Sequence, residues 1–328
     1  MKTEVAVGVV FREDGAVLIG QRLQGKPYAG WWEFPGGKFE AGEDAAEALA
    51  RELHEELGIR VLESRPWVVR EHVYEHAHVR LHFRRVVRWE GEVSSCEGQA
   101  FVWQQPAAID VEPLLPAAIA PIAWLGLSPE YAISNAAELG TAQFLAKLAR
   151  RLDDATHPLK LLQLRELESS AADFQRLFDA VAPLLQKARA RLLISSRHPQ
   201  RFWQQAADMT AGGVHLTAQD LRQAGTPGGA GRPALPLVAA SCHEASDLAL
   251  AGTLGVDLAV LGPVHATLSH PQATPLGWEG FARKIESSPV PVYALGGVSV
   301  ADLDCATRHG AHGIAAQRAA WSSQPGLD

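Results

Sequence analysis

Residues 37–59 read GKFEAGEDAAEALARELHEELGI, and this stretch decides what the first part of the chain is. From Asp44 to Leu57 it is rich in Ala, Glu and Leu, with Asp44 at the start and Gly58 as a stop, so the composition predicts a helix. On that helix Glu52, Glu55 and Glu56 stand at i, i+3 and i+4 and share a face. Leu49, Leu53 and Leu57 point elsewhere and can anchor the helix on a sheet. Three carboxylates so close raise one another's pKa. A hard divalent cation, magnesium or manganese, removes that repulsion and still leaves room for phosphate oxygens and water. Most glutamate-rich helix faces are simply solvated; here the spacing of the whole stretch argues otherwise.

The full run is Gly37-x5-Glu43-x7-Arg51-Glu52-Leu53-x-Glu55-Glu56-x-Gly58-Ile59. It resembles the signature of MutT-type Nudix hydrolases at every fixed position. The likeness extends to Trp32-Glu33-Phe34-Pro35-Gly36-Gly37-Lys38 before the run, and to Arg88-Trp89-Glu90-Gly91-Glu92 and Glu97-Gly98-Gln99 after it. The resemblance implies an α/β/α sandwich with a mixed sheet over residues 1–126. It implies a magnesium site made by Glu52, Glu55, Glu56 and Glu97 with the Gly36 carbonyl. Arg22 would meet substrate phosphates, and Glu33, Phe34, Pro35 and Gly36, with Lys38 beside them, would line the nucleotide site. Arg51 and Glu43 would orient helix and loop by ion pairing. The implied reaction is attack of water on a phosphorus of a nucleoside triphosphate, giving a nucleoside monophosphate and pyrophosphate. Glu52 and Glu97 both qualify as the base. One departure bears on the substrate. Members that remove 8-oxo-dGTP read the base with Pro-Ala-Asn, whereas this chain has Pro116-Ala117-Ala118. Alanine cannot form the amide's paired hydrogen bonds. Phe34 remains to pack on a base, and 8-oxo-dGTP is the leading substrate.

From about Glu130 the pattern changes. Short apolar runs at 131–133, 159–164, 192–194, 213–216, 237–239, 258–261, 292–295 and 313–315 alternate with helical segments such as Thr141 to Leu152 and Ala171 to Arg189. Strands alternating with helices predict a parallel sheet, and eight such units predict a closed (β/α)8 barrel, a TIM barrel, over residues 129–322. This half resembles the thiamine phosphate synthase and TenI family. The likeness lies in Gln163-Leu164-Arg165-Glu166, Gly213-Val214-His215-Leu216 with Asp220, Ser241-Cys242-His243, Gly262-Pro263-Val264, Thr267 to His270, Ala294-Leu295-Gly296-Gly297 and Gly310-Ala311-His312-Gly313. It implies a thiazole or thiamine phosphate ligand at Gln163, Arg165, Thr267, Gly296 and Gly297. By the TenI branch, His243 would move protons. Three departures count against the synthase reaction. Leu167 stands for a lysine, Ser195-Ser196 for the Asn-Asp that binds magnesium, and His270 for a second lysine. A pyrophosphate leaving group would lose much of its electrostatic help without them.

The net charge of -7 argues against loose binding to DNA, which needs a basic surface. Cys96, Cys242 and Cys305 are too few and too scattered for a disulfide framework, as in a reducing cytoplasm. No signal peptide is recognisable, and the most apolar stretch, Leu114 to Leu127, is interrupted by Pro116 and Pro121 and too short to span a bilayer. The leading expectation is a nucleotide-pool-sanitising pyrophosphohydrolase fused to a degenerate synthase-like barrel. Two alternatives stand beside it. One is a thiamine-pathway enzyme whose first half acts on a thiamine-related pyrophosphate. In the other the barrel is a non-catalytic module for a phosphate ligand or for dimerisation.

Overall fold

The computed structural model describes residues 2–267 and 274–322. The chain divides into two compact units, the first ending at Leu127 and the second starting at Ser128. Among the described residues no helix is long and apolar enough to cross a membrane.

The first unit contains β1 (Thr3–Val10), β2 (Val17–Gln21), β3 (Trp32–Glu33), β4 (Gly36–Lys38), helix α1 (Ala45–Leu57), β5 (Arg60–Val73), β6 (His78–Glu90), β7 (Phe101–Gln104) and helix α2 (Pro116–Leu125). One sheet runs β4-β1-β6-β5 and a second runs β3-β2-β7. The first is mixed: β1 and β6 are parallel, while β1–β4 and β5–β6 are antiparallel. Helix α1 starts with a capping box in which Asp44 accepts from the Ala46 and Glu47 amides, and ends on Gly58 in the left-handed conformation. Leu49, Leu53 and Leu57 are fully buried and pack with Ala6, Val10, Leu18 and Val86. Gly8 permits that contact, because a Cβ there would sit 3.0 Å from Leu49 Cδ1 and 3.2 Å from Leu53 Cδ1. The strand β5 is not apparent in the sequence. Its pairing with β6 shifts register near Val61, Glu63 and Pro66, which hides any period-two pattern. As an edge strand it tolerates Pro66.

The second unit is a closed barrel of eight parallel strands: β8 (Glu130–Ile133), β9 (Leu161–Leu164), β10 (Arg191–Ser195), β11 (Gly213–Leu216), β12 (Leu237–Cys242), β13 (Leu258–Leu261), β14 (Val292–Leu295) and β15 (Gly313–Ala316). Pairing of β15 with β8, from Ile314↔Glu130 to Ala316↔Ala132, closes it. Each strand overlaps one of the apolar runs read from the sequence. The strands are buried nearly throughout, as expected where helices cover a parallel sheet. Inside, the Tyr131 hydroxyl meets His215 Nδ1 at 2.8 Å, and His215 Nε2 meets Ser241 Oγ at 2.9 Å.

Candidate active site and the barrel mouth

Antiparallel pairing with β1 holds the glycine strand β4 against α1: Val7 faces Gly36, Ala6 faces Gly37 and Val5 faces Lys38. Gly36 lies at φ +140, and a Cβ there would be 2.1 Å from the Ala6 carbonyl oxygen. A Cβ on Gly37 would strike the Glu52 carboxylate at 2.1–2.2 Å. Two glycines in a row therefore bring the strand backbone directly onto the carboxylates of the helix.

The result is a cavity of about 730 Å³ whose walls include Glu52, Glu56 and Glu97, together with Arg22, Glu33 and Gly36. Glu56 Oε2 accepts from the Gly36 amide at 3.1 Å. Burial, reinforced by Glu52 and Glu97, pushes the Glu56 carboxyl up to about 7, against the pull of the Gly36 hydrogen bond. Glu52 is also raised, chiefly by burial. Carboxylates that resist ionisation together provide what a hard cation would relieve. The all-oxygen donor set suits magnesium or manganese, and the space left by the side-chain-free Gly37 is occupied by Glu52. Glu97 is drawn by Lys26, 3.7 Å away. Among the described residues, no group of three or more His, Cys, Asp or Glu stands at metal-binding spacing.

The sequence places Glu55 on the same face as Glu52 and Glu56, but the structure separates it. Glu55 does not line the cavity; it accepts from Arg51 Nη1 at 3.1 Å and is half exposed. Arg51 also grips Glu43 through Nε at 2.8 Å and Nη2 at 3.0 Å, reaches Glu52 at 3.1 Å, and donates to the Lys38 carbonyl at 2.9 Å. The guanidinium's several donors thus tie the loop, the glycine strand and the helix together. Arg51 holds the Glu43 carboxyl down at about 2. Arg22 pairs with Glu33 and donates from Nε to the Pro27 carbonyl at 2.9 Å. Burial raises Glu33 despite that partner. Phe34 lines the cavity but is only 4% exposed, packed edge-on against Phe83, so little of its ring is offered to a ligand. The Pro35 carbonyl accepts from the Gly8 amide at 2.8 Å, and Lys38 lies on the cavity wall. Ala118 lies in α2, is 4% exposed and does not line the cavity.

In the barrel, the residues singled out sit at or just beyond the C-terminal strand ends, where barrels of this kind place ligands. Gln163 is buried in β9, and the Arg165 amide donates to Ser134 Oγ at 2.9 Å. The buried Glu166 carboxylate accepts the Ala136 and Ala137 amides at 2.8 and 2.9 Å. Ser196 donates to Asp220 at 2.6 Å and accepts the Thr217 amide at 3.0 Å, so this short side chain is committed to the loop. Gly296 and Gly297 have φ +97 and +65. Side chains there would collide with Pro263 and His265, and the Gly296 one would lie 3.3 Å from Thr267 Cγ2. His243 is exposed after β12, its amide on Asp247 at 2.9 Å. His270 lies outside the described residues.

Residues 6–123 match the NUDIX domain, and residues 130–320 match thiamine monophosphate synthase. The first part is 38% identical over 114 residues to the 8-oxo-dGTP diphosphatase of Haemophilus influenzae, covering 35% of this chain and 84% of that protein. It is 38% identical over 125 residues to the CTP pyrophosphohydrolase of Escherichia coli, covering 36% and 88%. The second part is 31% identical over 187 residues to the putative thiamine-phosphate synthase 2 of Aquifex aeolicus, covering 56% and 93%. The chain belongs to the Nudix and thiamine monophosphate synthase families. The Nudix unit is a hydrolase of phosphorus-containing anhydrides.

Sequence reasoning missed part of the Nudix cavity. Lys26, Tyr28, Tyr74, His76 and Leu115 also line it. No motif marks them, because they come from a loop, the β5–β6 turn and the segment before α2. Tyr74 and His76 are brought to the cavity by that turn, in which the Tyr74 N–H donates to the Ala77 carbonyl at 2.8 Å.

Proposed function

We propose that the Nudix unit hydrolyses nucleoside triphosphates to nucleoside monophosphates and pyrophosphate, with 8-oxo-dGTP and dGTP as leading substrates, and that it uses magnesium or manganese. The observation that supports this reading is that Glu52, Glu56 and Glu97 line one cavity with Gly36, and that the charges of Glu52 and Glu97 both raise the Glu56 carboxyl. The names of the bacterial relatives, one acting on 8-oxo-dGTP and one on CTP, support a nucleotide as substrate.

Glu52, Glu56, Glu97 and the Gly36 carbonyl would hold the cation; Glu55, engaged by Arg51, would serve from further out. When bound, a divalent cation neutralises phosphate charge and lowers the pKa of water. Arg22 would turn from Glu33 toward the phosphates, and Lys38 lines the same cavity. Water oxygen attacks phosphorus, the bridging P–O bond breaks toward pyrophosphate, and the proton passes to Glu52 or Glu97. The test is magnesium-dependent pyrophosphate release from dGTP and 8-oxo-dGTP. Glu56→Gln should lower kcat by roughly 100-fold or more, the scale of losing a charge-stabilising group. Undiminished activity in that variant would refute the assignment.

For the barrel we infer a small phosphorylated ligand, of the thiazole or thiamine phosphate kind, rather than synthase chemistry. The tight glycine turn at Gly296-Gly297 beside Thr267 supports it. The engagement of Ser196 with Asp220, where synthases carry a metal-binding Asn-Asp, argues against the pyrophosphate step.

A further inference from the structure

Two basic side chains reach the Nudix cavity from the loop between β2 and β3, and each rests on a carboxylate of that cavity. Arg22 pairs with Glu33, and Lys26 pairs with Glu97, its Nζ 3.7 Å from Oε2. The two pairs differ in how firmly they are held. Arg22 is anchored a second time by the Pro27 carbonyl. For the charged ends of Lys26 and Glu97, no other ion pair and no hydrogen bond is found among the described residues. The Lys26 side chain is 54% exposed and that of Glu97 44%, and at 3.7 Å the pair is not itself a hydrogen bond. Such a pair is weak and exchanges readily.

Lys26 acts on more than Glu97. Its charge also reaches Glu33 and Glu56, favouring the ionised form of each. Four carboxylates line the cavity, Glu33, Glu52, Glu56 and Glu97, against three cations, Arg22, Lys26 and Lys38. Glu56 and Glu97 belong to the set that would hold the divalent ion. An ammonium group on a flexible stem and a divalent ion therefore compete for the same oxygens. The divalent ion carries twice the charge, so it takes Glu97 and repels Lys26. The displaced ammonium remains on the wall of the cavity that would receive the substrate's phosphates.

Resting on the proposed metal-dependent nucleotide hydrolysis, we propose that Lys26 is an exchangeable counter-cation, which occupies Glu97 in the resting protein, yields it to the divalent metal and then donates to the phosphate oxygens of the nucleotide. One side chain thereby couples the arrival of the metal to the recognition of phosphate.

The test is Lys26→Met in the full chain, which keeps the apolar stem and removes the charge, beside Lys26→Arg, which keeps the charge. Manganese affinity of the nucleotide-free protein, read from the spin-resonance signal of the free ion, should rise about threefold in Lys26→Met, the scale of an exposed ion pair. KM for dGTP at saturating magnesium should rise about tenfold, the scale of one lost hydrogen bond to a charged group. Lys26→Arg should stay near the parent in both. The opposite signs are the signature, since a lysine that merely braces its loop would weaken both ligands when replaced. Manganese affinity that is unchanged or lower in Lys26→Met, or an unchanged KM, would overturn the proposal. If the parent cleaves no nucleotide, the proposed hydrolysis falls by itself. The manganese titration, with dGTP affinity read by tryptophan fluorescence in place of KM, then still decides the role of Lys26.

Discussion

Glu56 shows how one residue acquires its chemistry from its surroundings. Its carboxylate is buried, faces two other carboxylates and is tethered by the Gly36 amide, so its pKa rises to about 7. In sequence it is one of three equivalent glutamates; in space it is distinct from Glu55, which Arg51 holds outside the cavity. Gly37 matters for the opposite reason, as a side chain that must be absent. His215 permits a prediction of pH dependence. Burial, aided by Arg165, lowers it to about 3. An unfolded chain protonates this histidine as pH falls through 6.5, whereas the folded barrel resists until about 3. The folded state therefore loses stability across that window, by at most a few kcal/mol. Denaturant melts at pH 7 and pH 4 should show a smaller acid loss in His215→Gln than in the parent. Equal losses would show that His215 does not drive the effect.

At the scale of elements, α1 was legible because its determinants are local. Asp44, the leucine row and Gly58 lie within one stretch and agree with one another. Asp44→Ala removes two hydrogen bonds, to the Ala46 and Glu47 amides at 2.7 and 2.9 Å. It should destabilise the Nudix unit by about 1 kcal/mol, measured as a shift in urea midpoint. An unshifted midpoint would mean that the cap contributes nothing. The strand β5 was not legible, because an edge strand with register shifts is specified by its partner β6 rather than by its own alternation. The barrel strands were legible because strands buried on both faces read as continuous apolar runs.

At the scale of the whole molecule, two family folds share one chain, and their prospects as enzymes differ. The Nudix unit keeps each fixed position of its motif. The barrel keeps Gln163, Arg165 and the Gly296-Gly297 turn but has Leu167, Ser195-Ser196 and His270 where synthases carry lysines and Asn-Asp. The chain should therefore not restore thiamine-free growth to a strain lacking thiamine phosphate synthase. Robust growth would show that the barrel forms the bond without those groups. By itself the sequence determined the two fold families, the glutamate-rich helix and the eight barrel strands, because local periodicity and fixed spacings encode them. Only tertiary structure decided which glutamates line one cavity, that Glu55 and Ala118 do not line it, and that Tyr74 and Gln99 do. Those facts depend on contacts between segments far apart in the chain, and no local pattern records them.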